Sequence, residues 1–464
     1  MFRFALAIFF GGFFTFLFSF RGEILQIYEN FRDRNFVTEI ASNEVLKTKN
    51  AEILSFEEIL NRGKKLRADG FLAAAAEKFS EAIKIEPRNR TAQISLVETQ
   101  FALGDFQTTI ELCENALKIF PADEDFLFFA ARAFLHRGQF SSAKKTFEKI
   151  KNRETNFYFA IIAIVENDFV AAKNFLKIAR QNPEFKTRAK IILRAFDEFS
   201  LFKSDDENYL KLLLAKSFNE IAAFDFAINL AKQVLQKNEK YIDAFLILGN
   251  AYLETEKTIL AKNAFETALK LDKSKSETLF SLARCFEKLE NFDRAAEFAK
   301  KAIAENFEPR AAAEKKLAQI YLKNQKIDAA IEIYEKILNA ERDKIENYSQ
   351  LVFVLLEYKN DAVRALRIAT TARDNFLNSA AAQNLFGWAK LENGDLHAAK
   401  KAILRALKLD PNLAAAHLNL GKILKVQNLP NDALKSFFTA AKLGKNTEIE
   451  KLANEEIAEI QNEV

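Results

Sequence analysis

The sequence predicts an all-α array of helical hairpins behind an apolar amino-terminal segment. Three observations predict it. Helix formers dominate the 464 residues, while Gly counts only 12 and Pro 6, so turn formers are scarce and sheet-rich or Pro/Gly-rich architectures are excluded. Residues 4–20, FALAIFFGGFFTFLFSF, are 17 consecutive uncharged positions between Arg3 and Arg21. Small residues then recur at a spacing of 34, as in Gly70, Gly104 and Gly138, or Gly387 and Gly421. Hydrophobic residues make up 49%, ample for a continuous core. The 46 Phe read as a compositional bias filling apolar positions.

The first element is residues 4–20. Seventeen apolar residues are at the short end of what spans a bilayer. A cleaved signal peptide is the competing reading, but it wants small residues at the cut, and this segment ends FLFSFRGE. Residues 1–20 are therefore expected to be an uncleaved transmembrane signal-anchor contacting the lipid bilayer through 4–20. Arg21, Arg32 and Arg34 after the span favour a cytoplasmic body by the positive-inside rule. The short amino tail favours export. The expectation leans to an extracytoplasmic body, with the cytoplasmic side as the alternative. Residues 21–55 follow as a charged, partly helical connector.

From residue 56 the chain reads as paired helices. Small residues twelve apart, such as Gly249 and Ala261 or Gly387 and Ala399, let two antiparallel helices cross closely. Between them lies a turn, Gly104-Asp105, Glu290-Asn291 or Gly394-Asp395. The second helix stops near Pro87, Pro121 or Pro411, since Pro disfavours helix in the residue before it. Copies fall at 56–89, 90–123, 124–152, 153–186, 208–241, 242–275, 276–310, 311–344, 345–379, 380–413 and 414–447. The first array, 56–186, holds four copies, the last two degenerate. Residues 187–207 fit no copy and are expected to be an irregular helical insert. The second array, 208–447, holds seven. Residues 448–464 are polar and amphipathic, as expected of a capping helix over the last apolar face.

The copy 242–275, with Phe245, Leu248-Gly249, Tyr252, Ala261, Phe265 and Ala268, resembles a tetratricopeptide repeat, a 34-residue helix–turn–helix unit. The resemblance covers roughly 56–464. It implies a right-handed αα superhelical solenoid of about eleven repeats, preceded here by one transmembrane helix. It also implies a concave groove lined by first helices, positions 2, 5, 9 and 12 of each repeat facing the groove.

Chemistry-bearing patterns are lacking. His136, His397 and His417 are far apart, and His417 is expected in the core. Cys113 and Cys285 form no CxxC, so neither a zinc site nor a disulfide framework is supported. No phosphate-binding glycine loop occurs. The expectation is a non-enzyme with no cofactor, no metal and no small-molecule substrate. A net charge of +4 lacks the basic excess of a nucleic-acid binder.

What remains is surface. Position 9 of successive repeats reads Asn250, Arg284, Gln319, Phe353, Trp388, Lys422, and position 5 includes Phe280, Lys315 and Asn384. Trp388 is the only Trp; Trp and Arg are enriched at interface hot spots. Trp388 either faces the groove or packs against the next repeat. Arg284, Lys315 and Lys323 are candidates to receive an acidic or carboxylate peptide end. Asn250 and Lys316 fit the Lys, Asn and Arg clamp of chaperone-binding relatives, but Leu246, Ser281 and Ala312 do not, so that clamp is not supported. The expected function is a membrane-anchored scaffold or adaptor binding a protein or peptide. Two alternatives are a cell-envelope assembly or secretion factor, and a cytoplasmic-side tethered regulator that recruits an enzyme.

Overall fold

The computed structural model describes residues 55–463 apart from 152–153, 202–205 and 446. The expected anchor at 4–20 and all but the last residue of the connector lie outside the described residues. No helix among the described residues is long and apolar enough to cross a membrane. The described residues hold 24 helices and no strand. They form two compact units divided between Arg153 and Glu154.

The first unit comprises three hairpins: α1 (Phe56–Ala68) with α2 (Leu72–Ile85), α3 (Arg90–Ala102) with α4 (Phe106–Ile119), and α5 (Glu124–His136) with α6 (Phe140–Phe147). The first helices α1, α3 and α5 pack in succession. The second unit opens with α7 (Asn156–Val165), α8 (Phe169–Ala179) and α9 (Lys186–Leu201). Seven hairpins follow: α10 (Glu207–Glu220) and α11 (Phe224–Lys237), α12 (Ile242–Glu254) and α13 (Thr258–Leu271), α14 (Ser276–Lys288) and α15 (Phe292–Ala304), α16 (Arg310–Lys323) and α17 (Ile327–Ala340), α18 (Ile345–Glu357) and α19 (Ala362–Asn375), α20 (Ala380–Glu392) and α21 (Leu396–Leu409), α22 (Ala414–Val426) and α23 (Pro430–Leu443). The last helix is α24 (Glu448–Glu463). Its Ala453, Ile457 and Ile460 are buried with Leu418, Leu424 and Phe437.

One turn builds every hairpin. Position 15 has positive φ in all eleven copies. In four it is Gly70, Gly104, Gly138 or Gly394; elsewhere it is Asn167, Ala222, Glu256, Glu290, Gln325, Asn360 or Asn428. The left-handed residue lets the first helix close its open carbonyls, as when Lys257 N–H bonds Tyr252 O at 2.8 Å and Glu256 N–H bonds Leu253 O at 3.3 Å. The next residue then caps the second helix. Asp105, Asp168, Asn291, Asp361 and Asp395 each accept from the backbone N–H three residues on. In the ninth copy the extra residue lies in this turn, so Glu357 ends the helix and Asn360 takes the left-handed place.

The small residue in the middle of each first helix has a different neighbour from the one its spacing suggests. A Cβ on Gly249 would fall 2.5 Å from the ring of Phe265, and one on Gly421 would fall 2.5 Å from that of Phe437. The large residue sixteen later lies across the glycine. Ala261 adds a second small surface rather than the closest contact.

The stacking departs from one repeat per step at α7–α11. Helix α9 packs on both α8 and α10, and α11 reaches back to α7, where Gln233 Nε2 donates to Val165 O at 3.2 Å. Helix α7, NFYFAIIAIV, is accordingly buried on most of its circumference, as a helix apolar all round must be. Lys211 on α10 keeps only 2% of its surface exposed. Burial pushes its ammonium below the ordinary Lys range, with Lys237 adding like-charge repulsion.

Candidate functional site

The face in question is carried by first helices α12, α14, α16, α18, α20 and α22. Each presents one residue per repeat at position 9 because the hairpins repeat with near-constant length. The helices are spaced by their small-residue contacts and pinned by ion pairs that run between repeats.

In the first half of this face the cations already have partners. Arg284 Nη2 lies 2.7 Å from Glu254 Oε1 on the preceding first helix. Lys323 and Lys316 lie 2.8 and 3.0 Å from the two carboxylate oxygens of Glu287. Burial draws the Glu287 carboxyl upward, but these two hydrogen bonds outweigh it and hold it below the ordinary 4.5. Glu314 is held low in the same way by Lys336 and Arg310. Lys315 is half buried, near Glu341. Phe280 stacks on Phe307 with ring centroids 4.3 Å apart. Asn250 is half buried and Gln319 exposed. Of the three cations expected to receive a carboxylate, two therefore sit in internal ion pairs.

The second half is open and aromatic. Phe353 is 41% exposed. Its ring lies 6.3 Å from that of Trp388 and 5.9 Å from that of Tyr358. Trp388 does both things expected of it: it packs partly on the core, and it meets Phe353 across the repeat boundary. Its indole N–H donates to Glu392 Oε1 at 3.2 Å. One turn before Trp388, buried Asn384 accepts from buried Asn419 of α22 at 3.0 Å. Among the described residues no hydrogen bond is made by the Asn384 amide N–H groups or the Asn419 carbonyl. Lys422 is half buried and forms no ion pair among the described residues. Neighbouring Lys425 is held by Glu456 and Glu459 of α24 at 2.8 and 2.9 Å.

The structure thus brings Phe353 and Trp388 together and pairs Asn384, one turn before Trp388, with Asn419, which Lys422 follows by one turn on α22. It separates them from Arg284 and Lys323. Tyr358 and Asn419 belong to the same cluster and escaped sequence reasoning. Tyr358 caps the end of α18 at position 14 and Asn419 stands at position 6, both off the rows read. The arrangement offers flat apolar faces, an amide donor, an amide acceptor and a cation.

Reactive groups lie elsewhere. Burial pushes the thiols of Cys113 and Cys285 up to about 12, so neither is a thiolate at neutral pH. His417, expected in the core, is half buried with Nε2 2.9 Å from Pro411 O. His136 stacks on Phe106 at 4.4 Å. Among the described residues no group of three or more His, Cys, Asp or Glu is placed to hold a metal ion.

Sequence profiles described as tetratricopeptide repeat match residues 60–124, 246–309 and 384–446, a second such profile matches 100–161, and a third matches 316–344. No curated protein matches the sequence. Among solved structures, the chain is similar to yeast Tom70, at 16% identity over 88% of this chain and 96% of that one, TM-score 0.38. It is also similar to a tetratricopeptide repeat protein from Parabacteroides merdae, at 17% identity over 54% and 99%, TM-score 0.43. A third is YrrB, described as a TPR protein with an unusual peptide-binding site, at 16% identity over 48% and 97%, TM-score 0.26. No partner or activity transfers at such identities.

Proposed function

The chain belongs to the tetratricopeptide repeat family, and from that premise we propose that it is a membrane-anchored scaffold or adaptor whose first-helix face holds a partner peptide or helix. The scaffold is of a kind typical of protein–protein interaction, and its families are generally non-catalytic. The observation that carries the reading is the open cluster of Phe353, Trp388 and Lys422 beside the Asn384–Asn419 pair. Exposed aromatics bring large contact area at little entropic cost. The unbonded amide donor and acceptor suit a main chain laid along the helices.

The anchor is the apolar run 4–20, and the body is placed on the extracytoplasmic side. A reporter fused after Val464 reads that side directly. Activity of a reporter that works only in the cytoplasm overturns the placement and leaves the groove reading intact.

The groove is tested by a photoreactive residue at position 388 in intact cells, followed by mass spectrometry. One dominant protein crosslink, lost on Phe353→Ala, is the expected result. Only intramolecular products, or crosslinks indifferent to Phe353, overturn the reading.

A further inference from the structure

The second helices carry a surface that the groove reading does not use. Equivalent positions in successive repeats face the same side of a stacked array. Position 22 of six successive repeats, allowing for the extra residue of the ninth, reads Asn263, Glu297, Glu332, Arg367, Lys401, Lys435. The sign of charge reverses between α17 and α19. Upstream, Glu297 is neutralised within its own helix by Lys301 at 2.6 Å. Downstream, Lys435 keeps such a partner in Asp432 at 2.9 Å, whereas Arg367 and Lys401 have none among the described residues. Residues 362–443 contain twelve Lys and Arg against five Asp and Glu, in a chain whose totals are 68 and 64. Arg367, Lys401, Arg405, Lys408 and Lys442 are all exposed, and none forms an ion pair among the described residues.

Apolar side chains stand among these cations on the same stripes. Leu404 is 49% exposed and Phe438, its equivalent one repeat on, is 54% exposed. Val363 at the head of α19 is 77% exposed. A single exposed apolar residue needs no explanation. Here Leu404 is bracketed by the unpaired Lys401, Arg405 and Lys408, and its equivalent Phe438 stands one turn before the unpaired Lys442.

We infer that the exposed stripes of α19, α21 and α23 form a docking surface for an anionic phospholipid bilayer. Charge complementarity selects the occupant's sign. Unpaired Lys and Arg are attracted to an anionic leaflet without first breaking an internal ion pair. The intervening Leu404 and Phe438 select lipid over other polyanions. They lose water when seated at the headgroup–acyl boundary, whereas a phosphodiester backbone gives the aliphatic Leu404 nothing. The surface acts in parallel with any anchor at 4–20. It lays the carboxyl-terminal repeats against the membrane and leaves the face of Phe353 and Trp388 for a partner.

The test uses the full chain with Phe438→Cys carrying a polarity-sensitive fluorophore. Cys113 and Cys285 are buried and do not compete for label. Phosphatidylcholine vesicles are compared with vesicles that also contain phosphatidylserine. A blue shift with phosphatidylserine only is expected. It should weaken with salt and lose about five-fold in apparent affinity for each of Lys401→Gln and Arg405→Gln. Insertion of residues 4–20 binds both vesicle types alike, so it is separated from this signal. Flotation of the unlabelled chain gives the second reading, as a phosphatidylserine-dependent increment lost in the double variant. Equal shifts on both vesicles, or no shift and no increment with phosphatidylserine, overturn the inference. So does a shift with single-stranded RNA or polyglutamate and none with vesicles. None of these outcomes bears on the crosslink at position 388, which reads other residues.

Discussion

Ala222 has a positive φ like its glycine counterparts but not their freedom. At φ 57° an L-residue's Cβ crowds the following carbonyl, which glycine avoids. Packing of α10 on α11 holds the turn in place regardless. Ala222→Gly should therefore stabilise the hairpin by about 0.5–1 kcal/mol, the relieved strain less glycine's unfolded-state entropy. Chemical denaturation followed by circular dichroism measures it, and a loss of stability would mean that the turn is unstrained. The same position shows how legible single residues were. Gly70, Gly104 and Gly138 gave the period away. Glu256, Glu290 and Gln325 adopt the same backbone but carry no such signal, because the hairpin imposes the conformation instead of the residue preferring it. Gly249 was legible as a close contact, but its true neighbour, Phe265, is a large residue that a small-to-small spacing rule passes over.

At the scale of elements, the junction between α14 and α16 rests on Glu287 and its two lysines. The Glu287 carboxyl is held below 4.5 in the folded chain, so folding favours its ionised form. The sign follows: its contribution is complete above the unfolded value and is lost as pH falls through the folded one. Wild type should thus lose stability on acidification below about pH 4.5. Glu287→Gln should be destabilised by about 2 kcal/mol at neutral pH, the worth of charged hydrogen bonds to a buried acceptor, and should show a shallower acid dependence. Urea midpoints of both proteins across pH decide it; parallel acid profiles would remove Glu287 from the account. Such pairs were not legible in the sequence. Lys316 and Lys323 lie 29 and 36 residues from Glu287, and long side chains on exposed-looking helices choose partners only once the repeats are stacked. The candidate site was legible in part for the same reason. Its aromatic and amide positions follow from register, whereas the internal pairing of Arg284 and Lys323 does not.

For the whole molecule, each repeat contacts mainly its neighbours, so stability is local and the ends need covering. Helix α24 covers the last apolar face through Ala453, Ile457 and Ile460. Deleting residues 448–464 should strip hydrogen-exchange protection from α22 and α23 while leaving α12–α15 nearly unchanged. Uniform loss of protection along the second unit would show that it unfolds as one body. Composition and period sufficed to predict such an array. They did not foretell the pairing of α7 with α11, whose Gln233 lies 68 residues beyond Val165.

That contact has a kinetic side. Most hairpins can close as soon as some thirty residues are available, and in such an array order spreads from neighbour to neighbour. The pairing of α7 with α11 waits for more than twice that length of chain, and each doubling of a loop adds about 0.6 kcal/mol to its closure. During synthesis α8 covers one side of α7 once that hairpin closes, while the side chains that meet α11 stay uncovered until α11 has followed. Over that interval the nascent chain depends on its surroundings to keep those side chains from finding one another on a second copy.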